Sequence, residues 1–306
     1  MKKILIATEK PFAPAAIEKM KAVVDAHEGY ELELLEKYEG QEALIEAAKK
    51  ADAMIIRSDK ATKEVLENSS LKVVVRAGAG YDNIDLAAAT EKGIVAMNTP
   101  GQNSNAVAEL AIGMMLFMAR GKFNGKSGKE LKEKKVGIHA YGNVGKNVAR
   151  IAKGLGMEVL AFDPFVSKET IEADGVKVCS SVEELYSSCD YISLHIPAND
   201  KTKNSINFDL LNRMPKGGTL VNTARKEVVC EESLLKLMNE REDFVYISDI
   251  APNNSSELTE KFGNRCLFTP KKMGAQTAEA NINAGVAGVE QIINFFENGD
   301  TTFKVN

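Results

Sequence analysis

The chain contains no tryptophan, only three histidines (His27, His139, His195) and only four cysteines (Cys179, Cys189, Cys230, Cys266). The cysteines stand at irregular spacing with no C-x-x-C pair. That argues against a zinc site or a disulfide framework and fits a reducing compartment, so no metal is expected. Positive charge is not in excess: the formal net charge is −4, which argues against non-specific binding to nucleic acid or an anionic membrane. No apolar run reaches the roughly 20 residues of a membrane span. The longest, at 106–119, is interrupted by Glu109 and reads as a buried helix. The opening MKKILIATEKPF has too short an apolar stretch for a secretion signal and reads as a first strand. These absences point to a soluble cytoplasmic protein.

At 306 residues, with 44% hydrophobic and 27% charged residues, the chain has material for about two ordinary globular domains. Short β-rich runs at 4–7, 53–57, 73–75 and 94–97 alternate with helical spacing at 13–26, 41–50 and 85–92. The rhythm repeats with strands at 136–139, 159–162, 191–195, 219–221 and 245–250. Strands alternating with helices mean parallel sheets covered on both faces. The expected fold is α/β, with two doubly wound parallel-sheet, Rossmann-like domains. Turn residues Asn98, Thr99, Pro100 and Gly101 mark the boundary, and the polar, Lys- and Gly-rich stretch 121–135 reads as a solvated connection. A long helix at 277–298 and a short strand at 302–305 close the chain. If that tail returns to the first domain, residues 1–98 and 277–306 form one domain and 99–276 the other.

The strand at 136–139 runs into Ala140-Tyr141-Gly142-Asn143-Val144-Gly145 and then a helix. This is G-x-G-x-x-G with alanine for the first glycine. Gly142 lets the backbone approach a pyrophosphate, Gly145 permits close helix–strand packing, and the helix N-terminus faces the anion. A glycine turn by itself is weak evidence. Asp163, 18 residues after Gly145 at the end of the next strand, is placed to accept hydrogen bonds from ribose hydroxyls. Its neighbours Pro164 and Phe165 include no arginine for a 2′-phosphate, which favours NAD over NADP.

Together with RSDKAT at 57–62, RAGAGYDNID at 76–85, MNTPGQNSNAVAEL at 97–110, DYISLHIP at 190–197 and VNTARKEVV at 221–229, this loop resembles the D-isomer-specific 2-hydroxyacid dehydrogenases along essentially the whole chain. The resemblance implies an active site in a cleft between two doubly wound domains and an NAD cofactor. It assigns Gly142, Asn143, Val144, Gly145, Asp163, Ile196, Thr223, Ala224, Asp249 and Gly274 to the cofactor. It also makes Arg225 the clamp for a substrate carboxylate, a task suited to its planar fork, with backbone donors from Ala77 and Gly78. Arg57, with Ser58 and Lys60 close by, resembles the phosphate pole of members acting on phosphorylated 2-hydroxy acids. A surface salt bridge is the alternative for Arg57.

The family pattern uses a histidine acid/base oriented by a glutamate. Here those positions fall on Lys272, with Lys271 as an inserted neighbour, and on Asn254. None of the three histidines can substitute. A lysine beside a glutamate would stay protonated. With neutral Asn254 instead, burial and the charges of Arg225 and Lys271 would lower its pKa toward the working pH. The register leaves Lys271 or Lys272 as the base, with Lys272 favoured. The chain ends about where the catalytic core of the family ends, so no regulatory domain is expected. A homodimer is expected from the resemblance. The reading is an NAD-dependent dehydrogenase of a phosphorylated 2-hydroxy acid. The alternatives are a glyoxylate or hydroxypyruvate reductase and a catalytically silent NAD-binding regulatory dimer.

Overall fold

The run Ile4-Leu5-Ile6-Ala7 has no exposed surface at all, because a parallel strand covered on both faces has no solvent side to alternate toward. It lies in β1 (Lys2–Thr8) of a computed structural model that describes residues 1–306. The elements that follow are α1 (Pro14–Asp25), β2 (Tyr30–Glu36), α2 (Gly40–Ala48), β3 (Ala53–Ile56), α3 (Lys63–Glu67), β4 (Val73–Arg76), α4 (Leu86–Glu91) and β5 (Val95–Asn98). After them come α5 (Ser104–Ala119), β6 (Lys135–His139), α6 (Asn143–Gly154), β7 (Glu158–Phe162), α7 (Lys168–Ala173), β8 (Lys177–Val178), α8 (Val182–Ser188) and β9 (Tyr191–Leu194). The chain closes with α9 (Phe208–Leu211), β10 (Thr219–Asn222), α10 (Glu231–Glu240), β11 (Val245–Ser248), α11 (Ser255–Phe262), β12 (Cys266–Phe268) and α12 (Ala278–Asn298).

The fold is α/β, with two compact units: Met1–Asn103 plus Gln276–Asn306, and Ser104–Ala275. In the first, five parallel strands run in the order β2-β1-β3-β4-β5. One face buries Ile4, Ile6, Ile55 and Val73 against α12 through Val289, Ile292 and Ile293. The other buries Leu5, Met54, Ile56 and Val74 under Leu44, Val65 and Leu66 of α2 and α3. The side-chain period of two along each strand produces this division. In the second unit, seven parallel strands run in the order β12-β11-β10-β9-β6-β7-β8. It too has a separate core on each side of its sheet.

The division falls at 103/104 and 275/276, where the sequence reading placed it at 98/99 and 276/277. Residues 99–103 stay with the first unit, and Thr99 N–H donates to the Gly78 carbonyl at 3.0 Å. Residues 302–305 form no strand. A single antiparallel bridge pairs Lys304 with Met97, and Val305 N–H donates to Ala96 O at 2.9 Å. The polar stretch 121–135 is anchored rather than wholly solvated. Lys122 Nζ donates to the carbonyls of Gly263 (2.7 Å) and Cys266 (2.9 Å), and Leu131 is buried. No helix is long and apolar enough to cross a membrane.

Candidate active site

In each sheet the chain order reverses once, and open α/β sheets bind ligands at such a point, outside the carboxyl ends of the strands. In the first unit the reversal lies between β1 and β3. In the second it lies between β6 and β9. The residues singled out from the sequence collect at these strand ends.

The loop after β6 carries the glycine turn. Ala140 sits at φ +79, the left-handed region that favours glycine, so alanine here is held under strain where the pattern expects glycine. A Cβ on Gly145 would collide with the Ala140 carbonyl and stand 2.9 Å from Ile138 Cγ2; only glycine lets α6 start so close to β6. Around Gly142, by contrast, nothing lies within 4 Å of a Cβ position. Its side is open, and no side chain caps α6. The N–H groups of Asn143, Val144 and Gly145 therefore face outward with the positive end of the helix dipole, a fit for a pyrophosphate. Asp163, at the end of β7, is tied to this turn. Its Oδ2 accepts from Tyr141 N–H at 2.7 Å, and its Oδ1 accepts from Phe165 N–H at 2.8 Å and Val166 N–H at 3.2 Å. Oδ2 keeps capacity for a ribose hydroxyl.

Ile196 follows β9, almost fully buried. Beyond β10, the buried Asn222 shapes the next loop. Its Oδ1 accepts from Ala224 N–H at 3.0 Å, and its Nδ2 donates to the Arg225 carbonyl at 2.9 Å. Thr223 is buried with its Oγ1 unpartnered, a polar atom that a bound cofactor can satisfy. Arg225 is exposed and commits one Nη1 donor, to Ala224 O at 2.9 Å, leaving its other donors for a carboxylate. The sequence motif around Asn222 assigns it no role. The signal for it was a polar residue at the end of an otherwise apolar strand.

Asp249, fully buried after β11, turns both oxygens onto the 269–274 loop. It accepts from Met273 N–H (2.7 Å), Gly274 N–H (2.8 Å) and Thr269 Oγ1 (3.0 Å). A Cβ on Gly274 would approach Asp249 Oδ2 to 3.0 Å and Val107 Cγ2 to 3.1 Å. Asp249 and Gly274 thus hold Lys271 and Lys272 on a fixed backbone. Both lysines are exposed, where the sequence reading expected Lys272 to be buried. Asn254 sits at the start of α11 with its Oδ1 buried and unpartnered.

Two histidines lie beside the reversal. His139 Nδ1 meets the Tyr186 hydroxyl at 3.2 Å, and His195 N–H donates to His139 O at 2.9 Å. Burial pushes His139 down to about 4, and burial together with the His139 charge pushes His195 down to about 3. Both are neutral at pH 7, and neither is poised for proton transfer there.

In the first unit, Arg57 follows β3. Its Nη1 donates to the carbonyls of Lys10 (3.4 Å) and Pro11 (3.3 Å), its Nη2 to Asn281 Oδ1 (2.5 Å), and its guanidinium lies 4.8 Å from the centre of the Phe12 ring. It forms no direct ion pair, and the Asp59 charge acts on it only from a distance. Ser58 is exposed. Asp59 accepts from the backbone N–H of Arg57 (3.3 Å) and of Glu9 (2.7 Å). After β4, Ala77 N–H is already committed to Ile56 O at 2.8 Å. Gly78, at φ +147, leaves room for the Arg76 guanidinium, which any Cβ there would strike.

Residues 107–270 match the model of the D-isomer specific 2-hydroxyacid dehydrogenase NAD binding domain. Over 100% of this chain and 98% of the other, the structure is similar to an NAD+-bound 3-phosphoglycerate dehydrogenase of Entamoeba histolytica, with 46% identity and a TM-score of 0.86. A D-3-phosphoglycerate dehydrogenase of Methanocaldococcus jannaschii is 36% identical over 82% of this chain, which spans 51% of that longer relative. A hydroxypyruvate reductase of Thermotoga maritima is 34% identical over 86% of this chain and 90% of its own. With the glycine turn, Asp163 and the Arg225 loop at strand ends of one sheet, these likenesses show that the chain belongs to the D-isomer-specific 2-hydroxyacid dehydrogenase family.

Proposed function

We propose that the protein oxidises 3-phospho-D-glycerate to 3-phosphooxypyruvate with NAD, working as a homodimer in the cytoplasm on the entry step to serine. NAD, when bound, accepts the hydride from C2. The N–H groups at the start of α6 hold its pyrophosphate, and Asp163 its ribose. The loop after β10 presents Arg225 to the substrate carboxylate and to the oxygen on C2, where the guanidinium stabilises developing negative charge. Gly78 N–H is a second donor to the carboxylate. Lys272, as the neutral amine, takes the C2 hydroxyl proton. Its pKa must then be lowered by neighbouring cations such as Lys271 and by water exclusion around bound substrate, because it is exposed here. Fixing the substrate by its two anionic ends contributes positioning, which is worth several orders of magnitude in related reactions.

The observation that carries the phosphorylated substrate is Arg57. It is a cation at the carboxyl end of β3 whose guanidinium is held by neutral oxygens, with Asp59 acting on it only from beyond ion-pair distance. The 46% identity to a 3-phosphoglycerate dehydrogenase supports the same reading. The likeness to a hydroxypyruvate reductase favours a second reading, reduction of unphosphorylated 2-keto acids. NADH oxidation with phosphooxypyruvate, hydroxypyruvate and glyoxylate as separate substrates decides between them. Selective turnover of the phosphorylated acid is expected. Equal turnover of all three would give the second reading, and NADH binding without turnover would make the chain a silent relative.

A further inference from the structure

Arg57 is separated from Asn281, in the first turns of α12, by 224 positions in sequence, yet its shortest bond is to that residue. The Asn281 amide has one available orientation. Its Nδ2 donates to the Thr277 carbonyl at 2.7 Å, which leaves Oδ1 as the acceptor for Arg57. Thr277 is itself fixed as the N-cap, its Oγ1 accepting from Ala280 N–H at 3.1 Å. On the other side, Arg76 Nε and Asn83 Nδ2 each donate to the Arg57 carbonyl at 3.1 Å. The guanidinium is therefore gripped by three neutral oxygens, of Lys10, Pro11 and Asn281, and by the Phe12 ring. Its Nε–H and one Nη2 hydrogen keep no protein partner.

The chemistry of that grip is specific. A carboxylate in place of Asn281 would hold the guanidinium equally well but cancel its charge. The Asp59 carboxylate already acts on Arg57 from a distance, and a neutral amide holds the guanidinium in place without adding a second negative charge, leaving two donors for an outside anion. We propose that Asn281 is a positioning residue for the substrate phosphate: it orients Arg57 without neutralising it, and so sets the preference for phosphorylated over unphosphorylated 2-keto acids. This rests on the phosphate role of Arg57 given above.

The test is steady-state NADH oxidation by the full-length wild type, Asn281→Ala and Asn281→Asp, each with phosphooxypyruvate and with hydroxypyruvate. Asn281→Asp keeps the acceptor and adds a charge. It is expected to raise KM for phosphooxypyruvate about tenfold, the scale of one hydrogen bond to a charged group, with kcat and the hydroxypyruvate KM unchanged. Asn281→Ala is expected to raise the same KM by a smaller factor. Equal losses on both substrates would reduce Asn281 to a brace for the fold, and an unchanged preference in both variants would likewise overturn the inference while leaving the function standing. A wild type with no preference for the phosphorylated acid would overturn the function and the inference together.

Discussion

In the proposed reading, Lys272 and Asn254 stand where the family pattern has an acid/base histidine and its carboxylate partner, and their placement bears on how a lysine would do this work. Asp249 pins the backbone at Met273 and Gly274, so the lysine is presented from a rigid base although its side chain is exposed. Replacing Lys272 by alanine is expected to lower kcat by about 10²–10⁴-fold, the usual contribution of a general base, with NADH affinity unchanged in a fluorescence titration. Lys271→Ala should cost far less. The reverse ranking in a kcat comparison would transfer the role to Lys271. At this scale the close approach at Gly145 was legible, because only glycine fits there, while Arg57, Arg225 and Asp163 stand as candidates whose residue types suit one task each. Asn222 and Asn281 were not. An amide that shapes a neighbour is visible only once the neighbour's hydrogen bonds are known.

The elements β6 and β9 carry a histidine each at their carboxyl ends, and burial keeps both in the neutral form. In the unfolded chain they titrate near the ordinary value of about 6.5. In the folded protein they hold off protonation to about 4 and about 3. Their pKa values are depressed by folding, so the stability they permit is fully present above pH 6.5 and lost as pH falls from there toward 4. Each unprotonated histidine contributes a slope of about 1.4 kcal/mol per pH unit in that window. His139→Gln removes one titrating group, and urea unfolding measured between pH 7 and 5 should show a shallower decline than the wild type. A parallel decline would mean that His139 is protonated in the fold. Strands made of continuous apolar runs, such as β1, β3 and β4, could be read directly from the sequence. Less obvious were β2, whose YELELLE alternates, and the short β8 and β12, which take strand form by pairing with β7 and β11 at the edges of their sheet.

At the scale of the whole molecule, the second unit is one continuous segment with its own cores, whereas the first depends on residues from both ends of the chain. Val289, Ile292 and Ile293 of α12 are buried against its sheet. At roughly 1.5–3 kcal/mol for each such side chain, they stand for about as much as the entire net stability of a small domain. Residues 104–275 expressed alone are expected to unfold cooperatively in urea, while a chain truncated after residue 275 should lose the unfolding transition of the first unit and keep that of the second. Retention of both transitions would mean that α12 contributes little.

What the sequence by itself determined was the class of fold, the rhythm of strands and helices, and a set of candidate residues for a cofactor and an anionic substrate. These depend on local chemistry: side-chain period, glycine where the backbone must turn or approach closely, and charge at strand ends. Only the tertiary structure decided that Ala77 N–H is spent within the sheet, that Lys272 lies exposed on a pinned loop, and that Arg57 is held by neutral oxygens from both ends of the chain. The reason is physical. A hydrogen bond between residues 57 and 281 depends on where two distant segments meet, and no local spacing encodes that meeting.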